Sequence, residues 1–291
     1  MIPGSFDYHS PSTVEEAVAL LTSLGEDAKV LSGGQSLIPM MKLRLAEPAQ
    51  LIDINGIAGL EYIREADGYL TIGALTREAD LDKSELIQQK YPILHDTAHV
   101  IADPLVRNRA TIGGNLAHGD PANDHPATML AVRAEVVATG PNGARNIAID
   151  DFFLGPLTTA LAPNEILTEV RIPVPAQGSG GAYVKLERKV GDFAIAGVAA
   201  VVTLDGNGNC SAASIGLTNV GPTPIRAGAA EEALTGNALS TDAIAEAGRL
   251  AGEASQPTSD HRGSAEYKRA MVQELTIRAL TKAKVRAEGG Q

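Results

Sequence analysis

Two short glycine-rich segments contain the residue types that bind phosphate groups. The first, residues 32–36, reads Ser-Gly-Gly-Gln-Ser, and the second, residues 111–115, reads Thr-Ile-Gly-Gly-Asn. Paired glycines let backbone N–H groups approach an anion because no Cβ stands in the way, and a helix that follows adds a favourable partial charge. Hydroxyl and amide side chains add hydrogen-bonding groups to both segments: Ser36, Thr111, Gln35 and Asn115. The two segments together predict a site for a diphosphate held between two loops.

The residues alone leave the ligand open. A Gly-Gly pair in isolation more often marks a tight turn than a binding site. Neither segment has the G-x-G-x-x-G spacing of Rossmann dinucleotide-binding domains, and neither ends in the Gly-Lys-Ser/Thr of a P-loop. These two nucleotide-binding classes are therefore disfavoured.

The elements around the first segment are predicted from periodicity and turn residues. Residues 12–24 begin with Ser/Thr caps, carry apolar residues at helical spacing and stop at Gly25, which predicts a helix. A β-type run at residues 28–31 leads into the first glycine segment, and residues 51–54 indicate the next strand. The first segment is therefore placed between a strand and a turn or helix.

Turn signals organise the rest of the chain. Asp67-Gly68 and Asn142-Gly143 predict two β-hairpins, and residues 77–99 predict a helical region before the second glycine segment. Residues 176–181, Ala-Gln-Gly-Ser-Gly-Gly, are interpreted as a linker and as the domain boundary. Beyond it, two strands and then Ala-rich helices predict an α+β second domain.

Composition excludes several classes of function. The 291 residues carry a net charge of -11, which repels nucleic acid, and Cys210 is the only cysteine, which excludes an internal disulfide or an iron-sulfur cluster built from this chain. The start has no signal-peptide pattern, and no apolar run reaches the roughly 18 residues that span a bilayer. A cytoplasmic protein without a transmembrane segment is expected.

Other polar residues are interpreted as structural. His118 and His125 match no metal-binding spacing and are expected to form hydrogen bonds within a loop, so no metal ligand is assigned. Asp120 and Asp124 suit turns as well as catalysis. No catalytic residue is assigned either, because no nucleophile and base stand at a recognisable spacing.

The order and context of the two segments resemble a known family, the flavin subunits of molybdenum hydroxylases of the xanthine dehydrogenase type. The resemblance is carried by residues 31–39, and by residues 111–115 followed by Asp-Pro-Ala-Asn-Asp-His-Pro at 120–126. It covers nearly the whole chain, including residues 2–8 and 183–193, and is strongest to the medium subunits of the aerobic carbon monoxide dehydrogenase branch.

The resemblance implies a fold and a cofactor site. The fold is α/β (α+β), with a vanillyl-alcohol-oxidase (PCMH)-like FAD-binding domain of two subdomains at residues 1–177 and a flavoprotein C-terminal domain at 178–291. FAD would lie between them. Phe193 stands where related subunits carry Tyr against the flavin ring, and Gln35 where some relatives carry His. The residues expected to contact FAD are Ser32, Gly33, Gly34, Gln35, Ser36, Thr111, Ile112, Gly113, Gly114, Asn115, Asp124, Leu167 and Lys185.

The resemblance also implies partners. The chain would take electrons from the [2Fe-2S] clusters of a small subunit and pass them through FAD to quinone, while a large subunit with a molybdenum-copper cofactor oxidises carbon monoxide. A dimer of heterotrimers is expected, cytoplasmic or at the inner face of the membrane. The alternatives are the flavin subunit of a nicotine, aldehyde or purine-type hydroxylase, and a non-catalytic nucleotide-binding module.

Overall fold

A small parallel sheet begins the fold. The computed structural model describes residues 2–290, so Met1 and Gln291, the outer ends of the two expected domains, lie outside the described residues. The sheet has the order β1-β3-β2, and its strands are connected through two helices. Thr13 caps the start of helix α1, where its hydroxyl accepts the Glu16 N–H, and Gly25, with φ +64°, caps its end, at the glycine where the helix was predicted to stop. The elements are β1 (Asp7–His9), α1 (Val14–Leu24), β2 (Ala28–Leu31), α2 (Leu37–Lys42) and β3 (Gln50–Asp53).

An antiparallel five-stranded sheet forms the second layer, in the order β4-β5-β10-β6-β7. Both predicted hairpins are confirmed, and Asp67 and Gly68 adopt the positive φ values of 53° and 82° that this tight turn requires. One face packs on a core that contains Leu70, Val136 and the fully buried Phe152. The strands are β4 (Ile63–Ala66), β5 (Tyr69–Gly73), β6 (Glu135–Gly140), β7 (Gly143–Ala148), β8 (Phe153–Gly155), β9 (Thr158–Thr159) and β10 (Ile166–Pro173), with β8 and β9 paired separately.

Six short helices lie between β5 and β6. The predicted helical region at 77–99 is three helices, because Ser84 leaves the helical conformation to cap the second and Pro92 starts the third. The second glycine segment, predicted as a loop, instead forms the first turn of a helix capped by Thr111. The helices are α3 (Glu78–Lys83), α4 (Glu85–Lys90), α5 (Pro92–His99), α6 (Pro104–Arg107), α7 (Ile112–His118) and α8 (His125–Ala131).

The C-terminal part is an antiparallel sheet covered by helices. Its strand order is β11-β12-β13-β14, and it has its own core with α9, α10 and α11. The mixed α/β architecture with an α+β C-terminal part is therefore confirmed. No helix in residues 2–290 has both the length and the apolar character needed to cross a bilayer. The elements are β11 (Ser179–Leu186), β12 (Ala196–Leu204), β13 (Cys210–Thr218), β14 (Ile225–Arg226), α9 (Gly228–Leu234), α10 (Thr241–Ala254) and α11 (Ala265–Ala287).

The predicted linker at 176–181 is shorter than expected, because β11 already begins at Ser179. Gly180 and Gly181 pair with β12, and a Cβ at Gly180 would lie 2.1 Å from the Ala283 carbonyl oxygen in α11. Gly180 lets the backbone of α11 lie directly against β11, and the interpretation of residues 179–181 as part of a linker is wrong.

Asp96 in α5 connects the N-terminal part to α11. Its carboxylate accepts hydrogen bonds from Arg286 Nη1 at 2.7 Å and Lys282 Nζ at 2.9 Å, and from the Tyr183 N–H at 3.2 Å. Burial alone raises the pKa of Asp96, but the hydrogen bonds and charges of Arg286 and Lys282 outweigh it and hold the pKa below its usual value. The ionised carboxylate therefore stabilises the contact between the two parts.

Asp96→Asn is expected to lower the free energy of unfolding by about 2 kcal/mol at pH 7, because hydrogen bonds to charged groups contribute roughly that much. The pKa of Asp96 is lower in the folded chain than in the unfolded chain, where it is about 3.9. The stability that the ionised carboxylate contributes is therefore present above about pH 3.9 and is lost as the pH falls through the folded-state pKa. Urea denaturation of both proteins should show a constant difference from pH 8 to 5 that shrinks below about pH 4. A difference independent of pH down to pH 3 would contradict this assignment.

Candidate functional site

The two glycine segments meet at one cavity of about 400 Å³. The hydroxyl groups of Ser32 and Thr111 form a hydrogen bond of 2.8 Å that joins the segments directly. Strand β10 closes one side through Leu167, and Ile112 turns its fully buried side chain into the core instead. The cavity is lined by these residues of the expected set: Ser32, Gly33, Gly34, Gln35, Ser36, Thr111, Gly113, Gly114, Asn115 and Leu167.

The first segment presents backbone donors. Gly34 has φ +74°, a conformation that favours glycine, and this turns the chain from β2 towards α2. In the part of the chain that the structure describes, the N–H groups of residues 33–36 have no acceptor. Ser36 stands at the start of α2 without a side-chain hydrogen bond to that helix. The segment therefore offers several adjacent donors to a ligand.

A network of polar side chains fixes the first segment from behind. Asn55 Nδ2 donates to the Ser32 carbonyl at 2.8 Å, and Arg77 Nη2 donates to Asn55 Oδ1 at 2.8 Å. Arg77 Nη1 also donates to the Arg109 carbonyl at 2.6 Å, just before the second segment. Burial, with the neighbouring charge of Arg109, lowers the pKa of the Arg77 guanidinium. This network holds the two segments at a fixed separation.

The second segment contributes side chains more than backbone donors. Thr111 Oγ1 accepts the Gly114 N–H, and the other N–H groups at the start of α7 are accepted by carbonyl oxygens of Thr76, Ala74 and Thr111. Asn115 Oδ1, however, is buried with no partner among residues 2–290. A buried polar atom without a partner is costly. The Asn115 amide is therefore the group in this segment that is available to a ligand.

The glycines are required first by the protein itself. A Cβ at Gly33 would lie 2.3 Å from the Arg109 carbonyl oxygen, and a Cβ at Gly113 would lie 2.6 Å from the Ala74 Cβ. A Cβ at Gly114 would lie 2.8 Å from Thr111 Oγ1. Side chains at Gly33 and Gly113 would thus force backbone segments apart even before a ligand is considered.

Three charged or titratable residues of the cavity wall were not predicted from the sequence: Lys29, His118 and Glu165. Two hydrogen bonds of 2.7 Å from Arg145 lower the pKa of Glu165. Glu165 therefore stays ionised, and the guanidinium balances its negative charge beside the cavity. Burial lowers the pKa of His118, which favours a neutral imidazole at pH 7. Of the three, only Lys29 could have been identified as a candidate from the sequence, because it is the single charged residue of an otherwise apolar strand.

Asp124 and Lys185 are brought to each other and not to the cavity wall. Lys185 Nζ lies 3.0 Å from Asp124 Oδ2, and the two side chains are 2% and 7% exposed. Tyr183, which sequence reasoning missed, donates its hydroxyl to Asp124 Oδ1 at 2.5 Å. Burial raises the pKa of Asp124 although Lys185 and Tyr183 act against it. The pair is linked to the second segment through Asn123, which donates to the Asn115 carbonyl at 2.9 Å.

The two histidines near the second segment are not in loops. His118 ends α7, and His125 begins α8, where its Nε2 lies 2.7 Å from Glu78 Oε2 with both side chains fully buried. The expectation that both histidines form hydrogen bonds within a loop is therefore wrong as to the local structure.

Phe193 lies in the connection between β11 and β12, about half exposed, with the Arg262 guanidinium carbon 5.9 Å from its ring centre.

Comparison with known proteins agrees with this architecture. Residues 4–175 match the family described as the FAD binding domain in molybdopterin dehydrogenase, and residues 181–283 match the CO dehydrogenase flavoprotein C-terminal domain. The chain is 50% identical to the carbon monoxide dehydrogenase medium chain of Hydrogenophaga pseudoflava, covering 97% of this chain and 98% of that one. It is 42% identical to subunit alpha of the 6-hydroxypseudooxynicotine dehydrogenase complex of Paenarthrobacter nicotinovorans, over 99% and 97% of the two chains.

A solved structure gives the same result in three dimensions. The chain superposes with a TM-score of 0.96 and 52% identity on the carbon monoxide dehydrogenase from Hydrogenophaga pseudoflava that lacks the Mo-pyranopterin moiety, covering 98% and 99% of the two chains. The family model of the N-terminal part covers more than half of the sequence, and the relatives are aligned over almost all of it. The chain therefore belongs to the FAD-binding flavoproteins of the molybdopterin dehydrogenases, and the resemblance found in the sequence is confirmed.

Proposed function

We propose that the chain holds the diphosphate of FAD in the cavity between the two glycine segments. The observation that carries this proposal is that residues 33–36 line the cavity and that their N–H groups have no acceptor within the described residues. Adjacent backbone donors form a concave site for an anion. The unpaired Asn115 Oδ1 can accept a hydrogen bond from a ribose hydroxyl, and the Ser36 hydroxyl can donate to a phosphate oxygen.

The chain's own residues bind and orient the cofactor. FAD, when bound, supplies the redox chemistry, since it accepts single electrons and releases pairs. The hydrogen bonds of Asn55 and Arg77 keep the first segment in place before the cofactor enters. The Glu165–Arg145 pair leaves no net negative charge at the wall. Asp124, the residue after Asn123, and its partner Lys185 in the C-terminal sheet are proposed to complete the site.

We propose further that the chain is the medium subunit of an aerobic carbon monoxide dehydrogenase. The support is the 50% identity to such medium chains over nearly the full length. In this proposal a large subunit oxidises carbon monoxide at a molybdenum-copper site, and a small subunit carries [2Fe-2S] clusters. A dimer of heterotrimers in the cytoplasm passes electrons from FAD to quinone. Cys210 is the only cysteine of this chain, so its own residues cannot form such clusters.

A second candidate is a hydroxylase of an organic substrate, since the chain is also 42% identical to a subunit of the 6-hydroxypseudooxynicotine dehydrogenase complex. Isolation of the native complex and assay with carbon monoxide and with N-heterocyclic substrates, using a quinone dye as acceptor, distinguishes the two. Reduction of the dye by carbon monoxide alone supports the first candidate. Reduction only by an organic substrate refutes it.

Ser36→Ala is expected to weaken FAD binding about 10- to 100-fold, because it removes one hydrogen bond to a charged group, which contributes about 1.5–3 kcal/mol. The chain is stripped of flavin and titrated with FAD while quenching of flavin fluorescence is recorded. Ser23→Ala is the control, since the Ser23 hydroxyl donates only to the Leu20 carbonyl on the exposed side of α1. Unchanged affinity in Ser36→Ala would remove this residue from the site, and failure of the wild-type chain to bind FAD would favour the non-catalytic module.

A further inference from the structure

A cluster of three metal-ligating side chains lies away from the proposed FAD cavity. Asp82 is in α3, and His95 and His99 are one turn apart in α5, so that both imidazoles are on the same side of the helix. Asp82 Oδ1 lies 3.1 Å from His99 Nδ1 and 3.4 Å from His95 Nδ1. None of the three lines the cavity of the glycine segments.

Arg107 lies beside the carboxylate of Asp82. Its Nη1 donates to the carbonyl oxygens of Ile101 at 2.9 Å and Ala102 at 3.2 Å, which fixes the guanidinium. Its Nε then lies 3.9 Å from Asp82 Oδ2. The second carboxylate oxygen, Oδ1, is left to face the two imidazoles.

The separations of the donor atoms suit a bound ion. Zinc bonds to imidazole nitrogen and carboxylate oxygen are about 2.0–2.1 Å long, so neighbouring ligand atoms of a tetrahedral ion lie about 3.3 Å apart. The two separations from Asp82 Oδ1, 3.1 and 3.4 Å, are close to that value. All three donor atoms lie within 4.8 Å of one another. His95 Nδ1 also lies 3.0 Å from the Asp82 main-chain carbonyl oxygen, so an ion that binds this nitrogen replaces that hydrogen bond and displaces the Nδ1 proton.

We propose that Asp82, His95 and His99 form a three-ligand site for a divalent transition metal of the Zn²⁺ class. Two imidazoles and one carboxylate favour such ions over Mg²⁺ or Ca²⁺, which prefer oxygen ligands. His99 is 65% exposed and Asp82 18%, so the ion can enter from solvent. The bound ion joins α3 to α5, and its fourth position is open to water or to a ligand atom from another molecule.

The test is metal binding by the untagged full-length chain. The chain is treated with a chelator, dialysed and titrated with ZnCl₂ in a calorimeter, and bound zinc is counted by mass spectrometry after equilibrium dialysis. One ion per chain is expected. His95→Gln and His99→Gln should each weaken binding at least tenfold, and His261→Gln, at an exposed histidine outside the cluster, should not.

A second readout separates loss of the site from loss of the fold. Zinc should raise the melting temperature of the wild-type chain and of His261→Gln, but not of the two cluster variants, because an ion that binds only the folded state stabilises it. Circular dichroism verifies that the variants are folded, and Asp82→Asn replaces any variant that is not. Absence of saturable binding, or equal binding in all variants, would overturn the proposal.

Discussion

Gly33→Val is expected to yield a chain that is less stable and retains no FAD. A valine Cβ at this position would lie 2.3 Å from the Arg109 carbonyl oxygen and 2.8 Å from the Ala110 Cα. Both are backbone atoms that cannot rotate aside, and the Arg109 carbonyl is held by Arg77 Nη1. The first segment must therefore move away from the second, and the hydrogen bond between Ser32 and Thr111 is lost.

The expected loss of unfolding free energy for Gly33→Val is about 3 kcal/mol, the upper part of the usual range for overpacking. Urea denaturation measures the stability, and the ratio of flavin to protein absorbance measures the retained FAD. Gly206→Val is the matched control, because a Cβ at Gly206 meets no atom within 4 Å. If Gly33→Val kept both its stability and its flavin, the close approach of the two segments would be wrong.

This result would differ in kind from that of Ser36→Ala. Gly33 acts through the protein's own backbone, so its replacement lowers stability and cofactor retention together. The Ser36 hydroxyl makes no hydrogen bond to α2, so its loss should lower cofactor affinity alone. The two variants together distinguish a glycine that positions the site from a hydroxyl that binds the ligand.

Local signals in the sequence predicted the local elements. The turn at Asp67-Gly68 depends on two residues that tolerate positive φ, and both adopt it. Thr13 and Gly25 bound α1 as caps do in general. Each of these features is decided by residues within a few positions of one another, so the sequence pattern was sufficient.

Features that depend on distant contacts were predicted less well. The glycines at 113 and 114 disfavour a helix, but the Thr111 cap and the hydrogen bond from the Gly113 N–H to the Ala74 carbonyl place them in one. Gly180 reads as part of a flexible linker because nothing nearby in the sequence reveals that α11 packs on it. Contacts between residues far apart in the chain leave no spacing pattern to detect.

The same reason explains what was missed in the candidate site. Both glycine segments were identified from the sequence, and the structure brings them together at one cavity. The pair of Asn55 and Arg77 behind the first segment, and Tyr183 beside Asp124, are joined to their partners over long stretches of chain. Polar residues of this kind become informative only when the fold shows what they contact.

Lys185→Met should destabilise the chain by about 3–5 kcal/mol at pH 7, because it leaves a buried carboxylate without its cation. The Lys185 and Asp124 side chains are 2% and 7% exposed, so water cannot solvate the carboxylate that is left unpaired. Asp124→Asn in the same chain removes the unpaired charge and should restore most of the loss. Lys189→Met, at an exposed lysine in the same part of the sequence, should have little effect.

The pH dependence gives Lys185→Met a further signature. Burial raises the pKa of Asp124 above its unfolded value, so the folded chain holds this proton at a pH where the unfolded chain has released it. The stability contributed by the protonated form is complete below about pH 3.9 and is lost as the pH rises through the raised pKa. Removing Lys185 raises that pKa further, since an opposite charge had opposed it. Urea denaturation should therefore show the deficit of Lys185→Met shrinking from pH 8 to pH 5, and no such change in the double variant. An equal deficit with and without Asp124→Asn would mean that Lys185 acts through its hydrogen bond to the Val100 carbonyl or its ion pair with Glu187, 3.4 Å away, and not through Asp124.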